Sequence, residues 1–277
     1  KAIESFRPFQ FGFILATIPD IVDRRNASIE RNSTFVRPAE LIWFPTGGGK
    51  TEAFQALSIF SVFFDRLTGK NGGVSAWLHF ALRALTVQQT QRLFEIVYHA
   101  EKIREENKIG GESFRIGFLV GGSYSPTEIK KNGSGGTTES MIIDKINTDD
   151  KNYVYTPNCP ECGQSSVRSR WNQDNWNIEF YCKNKRCDIN GKSLPVSVID
   201  DDIRRFPPAF IVGTIDKITG AGLTDKFHSL LKTPLYRCPV HGYTSEWQGK
   251  CNYYNVNCNE SIENEKPFDS GPSLIII

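Results

Sequence analysis

Residues 45–51, PTGGGKT, constrain the fold of this chain more than any other stretch. Consecutive glycines let backbone N–H groups converge on an anion, and the helix that follows adds the positive end of its dipole. Such a turn grips phosphate only when a strand delivers it and a helix leaves it. The flanks meet that condition. AELIWF (39–44) reads as a buried strand, and GKTEAFQALSIFSVFFDRL (49–67) as a helix. In this arrangement Thr46, Gly47, Gly48 and Gly49 cradle the phosphates of ATP, Lys50 reaches the β- and γ-phosphates, and Thr51 ligates Mg2+. The competing reading is a plain glycine-rich turn in front of a helix.

The same alternation continues downstream. VSAWLHFAL (74–82) reads as a strand, TVQQTQRLFEIVYHAEKIREE (86–106) as a helix, SFRIGFLVG (113–121) as a strand and AFIVGT (209–214) as another. Strand–helix–strand repetition predicts an α/β fold with a parallel sheet covered by helices. NGSGGTTES (132–140) reads as a flexible loop, and from Tyr155 aromatic residues, Asn and Cys take over. The chain therefore divides into five parts: 1–154, sheet domain; 155–200, a cysteine-rich insertion; 201–235, sheet domain resumed; 236–265, a second Cys/His insertion; and 266–277, a last strand.

The charge of +2 is too balanced to imply a polyanionic partner, so any such surface must come from local clustering. No apolar run reaches the length of a membrane span and no signal peptide opens the chain, which predicts a cytoplasmic protein without membrane contact. The chain starts without Met and closes on SLIII (273–277), and reads as a piece of a longer polypeptide.

In a reducing compartment, seven cysteines point to metal thiolates rather than disulfides. CPECG (159–163) and CKNKRC (182–187) are two knuckles separated by nineteen residues, the spacing of a zinc ribbon. Cys159, Cys162, Cys182 and Cys187 are its expected Zn2+ ligands; four unrelated thiols are the alternative. Cys238 and His241 in CPVHG, with Cys251 and Cys258, make a looser Cys3His candidate, the alternative being a Cys beside a surface His. Trp171 and Trp176, near Arg168 and Arg170, suit either stacking on a single strand of nucleic acid or packing of the ribbon's small core, the latter being favoured. His79, His99 and His228 read as packing or surface residues.

LRALTVQQTQR (82–92) lies at a strand-to-helix junction, where Arg83, Thr86, Gln89 and Arg92 offer donors to phosphate and none to a base edge. Ordinary helix-start polarity is the competing reading here too. PTGGGKT resembles motif I of the superfamily 2 helicases, with Phe44 an atypical residue at its first position. FRPFQ (6–10) resembles the element whose glutamine pairs with adenine, which assigns that role to Gln10; a helix start with core Phe residues is the alternative. LRALTVQQTQR is similar to motif Ia, VGG (120–122) to the Ib glycine pair, and IVGTIDK (211–217) to motif Ic, with Thr214 and Lys217 facing phosphate. Their order along the chain follows the superfamily. Together with PPAFIVGTIDK and the terminal GPSLIII, the set resembles the large helicases of bacterial phage-defence islands of the DISARM type, whose first RecA-like domain carries cysteine-rich insertions.

The resemblance implies a RecA-like P-loop domain of an ATP-driven DNA motor acting on a single strand or duplex end beside a partner protein in antiviral defence. VSVIDDDIRR (196–205) imitates an apolar strand that ends in metal-holding acids, yet it precedes IVGTIDK, whereas the superfamily places those acids last. Its aspartates are expected in an exposed acidic turn, and PSLIII is the better candidate for the strand that leads to the acidic motif, which lies outside this sequence. On this view the chain alone binds nucleotide and hydrolyses it poorly. A P-loop translocase that never separates strands, and a zinc-bearing scaffold without ATPase activity, remain the alternatives.

Overall fold

A computed structural model describes residues 6–29, 39–41, 49–80, 87–120, 126–131, 136–215, 217, 228–231, 236–244, 251, 258, 263–264 and 271–277. Helices α1 (Pro8–Ile29), α2 (Lys50–Leu67) and α3 (Val87–Glu106) carry the longest regular stretches. Strands β1 (Ala76–Phe80) and β2 (Ile116–Leu119) follow α2 and α3. Short strands β3 (Ile129–Lys130) and β4 (Thr137–Thr138) lead into α4 (Glu139–Thr148), and β5 (Val167–Asn172) and β6 (Asn177–Cys182) form an antiparallel hairpin. After β7 (Val196–Ser197), α5 (Asp200–Arg205) and β8 (Phe210–Thr214) come α6 (His228–Leu231), β9 (Tyr236–Cys238), β10 (Gly242–Thr244), β11 (Glu263–Asn264) and β12 (Leu274–Ile276).

Five of these strands form one parallel sheet in the order β12-β1-β8-β2-β7. Side chains alternate across it, and both faces are covered, as a parallel sheet requires. Ala76, Leu78, Ile116, Phe118, Phe210 and Val212 face α2, α3 and the β5–β6 hairpin, joining Val62, Leu93, Phe94 and Phe180 in the larger core. Trp77, Ile211 and Leu119 face the other way and pack with Ile203 of α5 and Leu230 of α6. The expected parallel α/β architecture is present. No helix among the described residues is long and apolar enough to cross a membrane.

Three expectations are corrected. Residues 39–41 form no strand and Leu41 is 87% exposed, while 42–44 lie outside the described residues. An apolar pattern expresses only a preference for a strand, which a neighbour must complete by pairing, and 39–41 pair with no described strand. The second half of the loop at 132–140 is ordered: Thr138 caps α4 by accepting from the Met141 N–H, and Thr137 and Thr138 pair with β3. Asp200, Asp201 and Asp202 are buried rather than exposed. They open α5, where an N-terminal carboxylate is favoured by the helix dipole, and basic partners stand within reach: Arg204 donates to Asp201 at 2.7 Å and Lys217 to Asp200 at 2.5 Å. Helix α1 runs through Pro19, a residue that supplies no backbone N–H to the helix.

A buried polar hub fixes the last strand. Lys70 and Asp65 form an ion pair with no solvent exposure on either side chain, 3.2 Å apart. Lys70 Nζ also donates to the carbonyls of Val74 and Gly271, and Ser273 Oγ donates to the Asp65 carboxylate while accepting from Arg24 of α1 and from Lys70. The serine hydroxyl thus uses its one hydrogen and both lone pairs. Ser273→Ala is expected to destabilise the chain by about 1–3 kcal/mol, read as a lower urea midpoint at unchanged m.

Candidate functional site

The turn before α2 is described from Gly49 onward; Thr46, Gly47 and Gly48 lie outside the described residues. Gly49 is the N-cap of α2 with φ 93°, a left-handed conformation that glycine adopts without strain. A Cβ there would stand 2.7 Å from Gln10 Nε2. Lys50 and Thr51 occupy the first turn of the helix, half-buried. Gln10, only 2% exposed, donates from Nε2 to the Gly49 carbonyl at 2.5 Å and accepts at Oε1 from the Arg7 N–H at 2.7 Å. Two stretches read separately from the sequence therefore meet across 39 positions. Of the two Phe residues of FRPFQ, Phe6 is exposed and Phe9 half-buried, so neither is a fully buried core residue.

Helix α2 runs back to the start of β1 through the short turn at 68–75, so its N-terminus lies at the carboxyl edge of the parallel strands. Glu52 in its first turn accepts from Arg92 of α3 at 3.1 Å. Of the other residues expected to grip phosphate, Gln89 lies on the first turn of α3, Thr214 is buried at the end of β8, and Lys217 is paired with Asp200. Arg83 and Thr86 lie outside the described residues, as do 121 and 122 of the glycine pair.

The first cysteine cluster is assembled by two turns at one end of the β5–β6 hairpin. Cys159 Sγ lies 3.8 Å from Cys187 Sγ and Cys162 Sγ lies 4.0 Å from Cys182 Sγ, and all four sulfurs fall within 4.8 Å of one another. Zn–S bonds of about 2.3 Å in a tetrahedron place sulfurs about 3.8 Å apart, so this set fits zinc without rearrangement. Burial pushes the Cys159 and Cys187 thiols up, whereas the Gln164 backbone N–H pulls Cys162 down to about 6. One thiolate is therefore in place near neutral pH. In the second cluster Cys238 Sγ lies 3.9 Å from Cys258 Sγ and 3.8 Å from His241 Nδ1, which is 3.4 Å from Cys251 Sγ. Burial, aided by the Arg205 charge, lowers His241 to about 4, which keeps its ring neutral as metal binding needs.

Both clusters are docked on the sheet domain, by residues that the sequence did not single out. Gln91 of α3 donates to the Asn158 carbonyl at 2.8 Å and accepts from the Asn158 N–H at 3.0 Å. Thr90 donates to the Tyr155 carbonyl, and Tyr98 and Lys102 both reach Glu161 in the first knuckle. The second cluster rests on α5: Arg205 donates to the His241 carbonyl, and a Cβ on Gly242 would run into the Arg205 carbonyl. The periodicity of α3 marks its apolar face, but not which polar residues beside that face meet a partner. Trp176 is buried and donates to the Ile129 carbonyl, Trp171 donates to Glu139, and their rings meet edge to face at 5.4 Å, so they pack the hairpin.

A parallel α/β sheet domain with two docked cysteine clusters, each able to hold a metal ion and each compatible with zinc, is the class of protein that these elements define. Over 98% of its length the chain is 30% identical, across 288 aligned residues, to the DISARM protein DrmA of Bacillus paralicheniformis. It is DrmA-like along that stretch, and spans about a quarter (25%) of that relative's length. No protein-family profile matches the chain.

With metal removed, Cys162 is expected to alkylate first with iodoacetamide at pH 7, its rate falling about tenfold per pH unit below pH 6, as followed by peptide mass spectrometry.

Proposed function

We propose that this chain is the nucleotide-binding, RecA-like part of a superfamily 2 DNA helicase or translocase of phage defence. The observation that carries the reading is the hydrogen bond from Gln10 to Gly49, which joins the proposed adenine reader to the proposed phosphate turn. Gln10 retains a second amide hydrogen and a second lone pair, the donor and acceptor that an adenine edge needs. Lys50 reaches the β- and γ-phosphates of ATP, Thr51 ligates Mg2+, and Thr46, Gly47 and Gly48 complete the cradle. ATP with its Mg2+ supplies the energy, and the chain's own residues bind and orient it.

The geometry also bears on the carboxylate that hydrolysis requires. Asp200, Asp201 and Asp202 follow β7, at the opposite edge of the sheet from β12, and α2 lies over β1 and β12. That placement across the sheet argues against a metal-holding role beside Lys50. β12 runs parallel to β1, so an acidic pair following it in a longer polypeptide would emerge at the edge where Lys50 and Thr51 stand. Arg83, Thr86, Gln89, Arg92, Thr214 and Lys217 hold the sugar-phosphate backbone of a DNA single strand or duplex end. Zn2+ in the two clusters stabilises insertions at 155–200 and 236–265 that are too small to fold alone. The likeness to a DISARM protein supports a cytoplasmic defence complex with a protein partner.

Two measurements test this reading. The chain is expected to bind a fluorescent ATP analogue in Mg2+, and Lys50→Ala to weaken that binding by about tenfold or more. No binding by the unaltered chain overturns the nucleotide site and leaves a zinc-bearing scaffold. Elemental analysis should find about two zinc ions per chain, falling by about one in Cys258→Ser; a single ion in the unaltered chain discards the Cys3His site.

A further inference from the structure

We infer that the Glu52–Arg92 ion pair couples the nucleotide site to the nucleic-acid clamp, and does so antagonistically: bound polyphosphate holds Arg92 on Glu52 and off the DNA backbone. The inference rests on the nucleotide-site reading above and deepens it.

The pair joins the first turn of α2, which follows the phosphate turn, to α3, which follows the proposed backbone clamp. Arg92 Nη2 lies 3.1 Å from Glu52 Oε1. The other carboxylate oxygen of Glu52 leans over the helix entrance, 3.3 Å from the position that a Cβ on Gly49 would occupy. In the absence of ligand a carboxylate is favoured there, because it faces the positive end of the helix dipole. A polyphosphate seated on the same turn brings several negative charges beside Glu52, and like charges at short range disfavour one another unless a cation intervenes. Arg92 is that cation.

Arg92 cannot serve Glu52 and a DNA phosphate equally. Its side chain is 43% exposed and that of Glu52 17%, so the pair is a surface one whose exchange for a phosphate costs little. Lys217 differs. Its partner Asp200 is 2% exposed, and withdrawing Lys217 would strand a buried carboxylate. Of these two clamp cations, Arg92 is thus the one free to change partners. Linkage then fixes the sign: nucleotide that strengthens the Arg92–Glu52 contact weakens DNA at this point, and DNA that draws Arg92 away weakens nucleotide by the same factor. Glu52 is a positioning residue, acting through Arg92 rather than on a reacting atom.

The test is a double-mutant cycle on this chain, with the fluorescent ATP analogue in Mg2+ and a short oligothymidylate as probes. Arg92→Gln is expected to weaken nucleotide binding roughly three- to fivefold, because Glu52 is left uncompensated beside the phosphates. Glu52→Gln should tighten nucleotide binding, and adding Arg92→Gln to it should change nucleotide affinity by less than about twofold. In the DNA arm, the nucleotide analogue should weaken oligothymidylate binding more in the unaltered chain than in Glu52→Gln. An equal effect of Arg92→Gln with and without Glu52→Gln, in a chain that does bind nucleotide, overturns the coupling alone. Failure of the unaltered chain to bind nucleotide overturns the site reading and the coupling together.

Discussion

The buried ion pair of Lys70 and Asp65 is the interaction on which the rest of the arrangement depends. Two charges removed from water are tolerated only when every remaining donor and acceptor is engaged, and here Ser273, Arg24 and the carbonyls of Val74 and Gly271 engage them. That demand draws together α1, the end of α2, the turn into β1 and the approach to β12. Because β12 is held against β1 and α2 descends onto the start of β1, the carboxyl edge of the sheet and the N-terminus of α2 coincide. Gly49 and the first turn of α2 therefore lie at the ends of the strands, the place where ligands gather in parallel α/β sheets.

Helix α3 distributes the consequences. Its first turns carry Gln89 and Arg92, the latter reaching back to Glu52, while Thr90, Gln91, Tyr98 and Lys102 fasten the first cysteine knuckle through Tyr155, Asn158 and Glu161. The hairpin's Val167, Ile178 and Phe180 enter the same core as Leu93 and Phe94, so the cysteine cluster extends the sheet domain's interior instead of hanging from a linker. On the other face, α5 plays the corresponding part for the second cluster through Arg205 and Gly242.

Local features were legible in the sequence wherever chemistry and spacing are themselves local. The helix over Lys50–Leu67 and the strand over Phe210–Thr214 follow from periodicity, and two knuckles nineteen residues apart announce a four-thiolate cluster whose sulfurs do converge. Misreadings arose where a partner decides. The opening residues of AELIWF belong to a stretch with the composition of a buried strand, yet Leu41 is exposed and 39–41 pair with no described strand, while 42–44 lie outside the described residues. Three consecutive aspartates look like a solvated turn, yet Arg204 and Lys217 allow them to be buried at the head of a helix.

By itself, then, the amino-acid sequence determined the alternation that makes a parallel α/β sheet, the glycine turn with Lys50 and Thr51, and the two sets of metal-type ligands. Each of these is set by residue type and by separation along the chain, which the sequence states directly. Only the tertiary structure decided that Gln10 touches Gly49, that Arg92 pairs with Glu52 and that the triple aspartate lies inside. Those outcomes depend on which distant side chain supplies a hydrogen bond or a counter-charge, and packing alone chooses that partner.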